Sequence, residues 1–107
     1  MSRSDADRVS DIRSAISRCR SYEEHLGSPD LGQMAYDAVL RNLAVIGEAV
    51  RALPEEFVSA HPDVPWPAIA GLRNVVVHEY FRVNPDVIRD VLDQHLTTLD
   101  EALASDD

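Results

Sequence analysis

The sequence predicts an all-α bundle, and three observations carry that prediction. Two long stretches repeat apolar residues every three or four positions, the period of a helix, and stop signals such as Gly27 and Ser28-Pro29 separate them. The one β-prone run, Val75-Val76-Val77, meets no second candidate strand, and an isolated strand is marginal in water. One domain over residues 1–107 is the expected organisation, since 107 residues match a single core and no Gly/Ser-rich or charge-block linker interrupts them.

The first helix is expected from Ser4, read as an N-cap, with Val9, Ile12, Ile16, Cys19, Tyr22 and Leu26 on its apolar face. Gly27 is expected to end it in the left-handed conformation. Asp30 with Gln33 resembles a capping box for a second helix running to about Leu53, with an apolar face from Met34 through Ile46 to Val50. Pro54-Glu55-Glu56 predicts a short helix through Val58, and His61, Pro62, Pro65 and Pro67 predict a rigid extended connection. Ala68–Phe81 is read as one helix, because three valines cost a helix only a few tenths of a kcal/mol each. Asn84-Pro85-Asp86 then caps a last helix bearing Ile88, Val91, Leu92, His95, Leu99 and Leu103.

Composition narrows the function. The chain carries ten Arg and no Lys against nineteen acids, a net charge of -9, and residues 54–107 hold three Arg against eleven acids. Such a chain is no general polyanion binder, so any nucleic-acid site must be a small arginine site that outweighs the repulsive field. The single Cys19 excludes an internal disulfide and suits a reducing cytoplasm. No signal-like or membrane-spanning apolar run is present, so neither export nor a membrane partner is expected. His25, His61 and His95 share no metal spacing, and neither a metal nor another cofactor is expected.

Arg73, Asn74, His78 and Tyr80 stand among alanine, leucine and valine. At about 100° per residue the four side chains span an arc of about 160°, which is too wide for one small pocket but suits a site shared between two copies of the helix. The set fits RNA cleavage without a metal. Histidine titrates nearest neutrality and can move the 2'-hydroxyl or leaving-group proton, and the arginine fork can stabilise charge on the phosphate. Asn74, one turn before His78, can fix the imidazole tautomer or bind phosphate. From spacing alone, a core histidine beside a surface ion pair is the competing reading.

The run Pro65-Trp66-Pro67-Ala68-Ile69-Ala70-Gly71-Leu72-Arg73-Asn74-Val75-Val76-Val77-His78-Glu79-Tyr80 resembles the signature of HepT-like proteins of the HEPN superfamily, whose motif is Arg-x4-His-x-Tyr. Val45-Ile46-Gly47-Glu48-Ala49 is similar to that family's Ile-Gly-Glu-Ala segment. The resemblance implies an antiparallel helical bundle that forms a homodimer with two motifs lining one cleft. It also implies a toxin with metal-independent endoribonuclease activity, encoded beside an MntA-like nucleotidyltransferase antitoxin that adenylylates Tyr80. Carried over, Arg73 and His78 are the catalytic pair and Asn74 an assistant.

Glu48 sits beside the apolar face of the second helix, where it can pair with Arg51 or Arg73, either as support for the site or as a plain ion pair. Trp66 reads as an apolar anchor for the proline-rich loop, Gly47 as a point of close helix packing, and Cys19 as a small buried hydrophobe. Two other functions compete with a ribonuclease. One is a non-catalytic helical dimer that binds a nucleotidyltransferase or a nucleotide, and the other is a purely structural dimer.

Overall fold

The computed structural model describes residues 3–79 and 84–105, and every regular element among them is helical. Helix α1 (Arg3–Glu23) and helix α2 (Gly32–Arg51) are the two long rods the periodicity predicts, each about 30 Å at 1.5 Å per residue. They lie against each other. Ile12, Ile16 and Cys19 of α1 meet Val39, Leu43 and Ile46 of α2 in one core, and each of these six is at most 2% exposed.

Helix α1 already begins at Arg3, so Ser4 lies inside the first turn instead of capping it. Its exit also differs from expectation, because Gly27 has no positive φ. The chain leaves through tight turns in which His25, Leu26 and Ser28 N–H groups reach three residues back. A capping box does not form at Asp30 and Gln33: Leu31 occupies the N-cap, Ser28 Oγ accepts from its N–H, and Gln33 Nε2 donates to Asp37 instead. Helix α2 stops at Arg51, two residues before the expected Leu53, and Met34 is 70% exposed, off the core face assigned to it.

Helix α3 (Glu55–Ala60) buries Phe57. The expected extended connection ends early, because Trp66 opens helix α4 (Trp66–Ala70) with Pro67 in its first turn, where a missing N–H costs nothing. Trp66 is the anchor predicted: its Nε1–H donates to the His61 carbonyl at 2.9 Å, and its ring meets Phe57 edge-on at 6.0 Å. His61 stacks obliquely on Phe57, with a buried Nε2 that has no hydrogen-bond partner among the described residues.

The single helix expected over residues 68–81 pauses at Gly71 and resumes as α5 (Leu72–Glu79). The Gly71 N–H bonds the Pro67 carbonyl and the Gly71 carbonyl accepts from Val75, so the axis continues across the pause. The valines are helical, as argued. The expected end at Phe81 lies outside the described residues.

Asn84 caps helix α6 (Pro85–Asp90) as predicted, its Oδ1 accepting from Asp86 N–H at 2.8 Å. The last helix is not uniform. A π-turn over Val91–His95 separates α6 from α7 (Leu96–Ser105), and the Leu96 N–H reaches five residues back to Val91. Arg20 of α1 seizes this wide turn, donating to the Leu92 carbonyl at 2.6 Å and to Thr97 Oγ1 at 2.8 Å. Helix α2 is thus the central element, with α1 on one side and α4–α5 on another, while α7 packs on α1. No described helix is long and apolar enough to cross a membrane.

Candidate functional site

One turn of α2 meets the start of α5. At Gly47 the two backbones approach so closely that a Cβ there would sit 2.9 Å from the Ile69 carbonyl oxygen and 3.0 Å from the Arg73 nitrogen. Those neighbours are backbone atoms that cannot rotate away, so glycine is what lets α5 dock at this depth. The sequence reading of Gly47 as a close-packing residue holds.

The docking leaves the core-facing row of the α4–α5 segment to Ile69, Leu72 and Val76. Arg73, Asn74 and His78 consequently stand on its exposed side. Arg73 Nε lies 3.7 Å from Glu48 Oε2, and Arg73 Nη1 donates to Asn74 Oδ1 at 3.5 Å. Of the two partners open to Glu48, the structure selects Arg73. Both side chains are largely in solvent, with Arg73 47% and Glu48 66% exposed, so the pair contributes at most about 1 kcal/mol to stability and mainly orients the guanidinium.

Asn74 therefore faces Arg73 and is not bonded to His78. His78 follows one turn later on the same exposed face and makes no hydrogen bond or ion pair with another described residue. A guanidinium and an exposed imidazole five residues apart on one helix can bind a phosphodiester and exchange a proton with it. Tyr80 lies outside the described residues.

Several polar groups escaped the sequence reading. Arg51, considered only as a partner for Glu48, donates from Nε to the Ala70 carbonyl at 3.0 Å. Asn42, buried in α2, accepts from Arg18 Nε at 3.0 Å and donates to the Ala38 carbonyl. The signal for Asn42 was present, as a polar residue next to Leu43 on the buried face. A groove of about 680 Å³ beside α1, lined by Arg13, Ser17, Arg20 and Asp100 among others, contains none of the motif residues. Its two arginines are engaged, Arg13 with Asp100 at 3.5 Å and Arg20 with the π-turn. Cys19 is inert: burial pushes its thiol up to about 12, against the smaller opposing pull of Arg20 and Arg18. Among the described residues no three His, Cys, Asp or Glu cluster as a metal site.

A family described as ribonuclease HepT-like matches residues 12–105, which include α5 and the whole α2 turn beneath it. The chain is 31% identical over 101 residues to the "Probable ribonuclease HepT" of Thermococcus cleftensis, covering 92% of each. It is 40% identical over 81 residues to a "Putative RNase" of Caldanaerobacter subterraneus, covering 76% of this chain and 69% of that protein. A "Putative RNase" of Methanocaldococcus jannaschii is 49% identical over 55 residues, a match that spans 51% of this chain but only 46% of the relative. No solved structure matches. With residues 12–105 of the chain accounted for and a relative similar across nearly its full length, the chain belongs to the ribonuclease HepT-like family.

Proposed function

We propose that the protein is the endoribonuclease toxin of a HepT/MntA-type pair and that it cuts RNA without a metal. One observation carries the reading: Arg73, Asn74 and His78 share the exposed side of a helix that Gly47 seats against α2. His78 takes the proton of a ribose 2'-hydroxyl as its oxygen bonds to phosphorus, and the 5'-oxygen leaves with a proton returned by an imidazolium, so that atoms and charge balance. Arg73 stabilises the negative charge that builds on the phosphoryl oxygens, Asn74 assists, and Glu48 holds the arginine in place.

A homodimer places two such helices across one cleft. Met34 (70% exposed), Val77 (53%) and Val45 (43%) on α2 and α5 are apolar side chains left in solvent by the single chain, which supports a covering partner. Tyr80 is the acceptor of the adenylyl group from an MntA-like nucleotidyltransferase, and the added phosphodiester occupies the place of substrate.

The test incubates purified, unmodified protein with RNA in EDTA, beside His78→Ala. Cleavage by the wild type and a loss of about a hundredfold or more in the variant is the expected result. Equal cleavage by both would refute the assignment. A protein that leaves RNA intact yet binds the nucleotidyltransferase would establish the non-catalytic binding module instead.

A further inference from the structure

Glu48 and Arg51 are three residues apart on α2, the spacing at which an acid and an arginine on one helix normally pair. Here they do not. Arg51 Nε turns to the carbonyl of Ala70, the last residue of α4, and Glu48 is left to Arg73. Ala70 lies where a helix end leaves carbonyls without partners in its own ladder. The bond therefore has two effects. It ties the end of α4 to α2 just before the pause at Gly71, and it removes the competing cation from Glu48.

We propose that Arg51 is a positioning residue for Arg73. Three contacts from one turn of α2 converge on the pause, and each fixes a different coordinate of the motif helix. Gly47 sets how closely α5 approaches, Arg51 stops the α4–α5 junction from sliding along α2, and Glu48 aims the guanidinium. Arg51 never touches substrate. Its effect passes through the Ala70 carbonyl, and for activity it rests on the ribonuclease reading.

The experiment compares Arg51→Ala with Arg51→Gln, because glutamine keeps an N–H donor at the chain position of arginine Nε without the charge. Arg51→Ala should lower kcat by about three- to tenfold, the range a single hydrogen bond supports, with KM within about twofold. Arg51→Gln should retain the wild-type rate. A second readout needs no turnover: in ¹⁵N NMR the Arg73 Nε–H resonance should shift in Arg51→Ala and stay in place in Arg51→Gln. An unmoved Arg73 resonance in Arg51→Ala overturns the proposal, and so does a glutamine variant as impaired as the alanine one. If the wild type itself fails to cut RNA, the ribonuclease reading falls, while the NMR comparison still decides what Arg51 positions.

Discussion

The α1–α2 pair and the α4–α5 segment are both helical, yet they are held in opposite ways. Along α1 and α2 the contact runs the length of two rods: Ile12, Cys19, Val39, Leu40, Leu43 and Ile46 have no exposed surface, and the Arg18–Asn42 bond fixes their register. The motif segment is held mainly at its start, by Gly47, Arg51 and Trp66, and its outer side carries Arg73, Asn74, Val77 and His78 into solvent. The difference teaches that the stabilising core and the proposed chemistry occupy different faces, joined at one turn of α2. A substitution deep in the α1–α2 core or on the outer side of α5 should therefore injure one and spare the other, and one at Gly47 should injure both.

The largest effect on stability is expected from Leu40→Ala in α2, about 2–5 kcal/mol by thermal or urea unfolding, because a fully buried leucine leaves a cavity. A loss below about 1 kcal/mol would show that the two rods are not the stabilising frame. Gly47→Ala comes next, at about 1–3 kcal/mol, since its methyl group meets backbone at 2.9 Å and α5 must move outward. RNA cleavage should fall in that variant even where it remains folded, and full activity would break the link between docking depth and site geometry. His78→Ala should change stability by no more than about 0.5 kcal/mol while abolishing cleavage, because the imidazole is exposed and makes no bond to another described residue.

The smallest effect sharpens the same contrast. Cys19 has its thiol pushed from 9.0 up to about 12 by burial, so at pH 8 an alkylating reagent should label it only after unfolding. The folded chain keeps a proton that the unfolded chain has lost between these values. Its contribution to stability is therefore complete below pH 9 and declines as the pH rises toward 12. Rapid labelling of the native protein at pH 8 would mean that the α1–α2 interface opens readily.

The rods were legible because their apolar spacing is local, whereas Arg73 and His78 stand out by residue type and take a proposed chemistry only through the resemblance of the run around them to a family motif. What the sequence concealed lies in contacts between distant residues. Proline at 67 looks the same in an extended loop and in the first turn of a helix, and only the burial of Trp66 and Ile69 decides for the helix. The choice of Arg73 over Arg51 as the partner of Glu48 depends on Ala70, nineteen residues along from Arg51. Likewise, Asn74 lies one turn before His78 by spacing, but the guanidinium beside it wins its carbonyl oxygen.

The wide turn at Val91–His95 acts as a phase corrector. From Ile88 through Leu92, Leu96 and Leu99 to Leu103 the buried row advances by four, four, three and four residues, an average of about 3.75 per turn where an α-helix supplies about 3.6. Left uncorrected, that row would wind about 60° around the axis and carry the final leucine out of the core. One expanded turn absorbs the drift, and Arg20, reaching across from α1, holds the correction in place. Chain length is consequently not equally adjustable along this helix: a residue removed inside the wide turn only tightens it toward α geometry, whereas one removed from Leu96–Ser105 puts every later leucine on the wrong side.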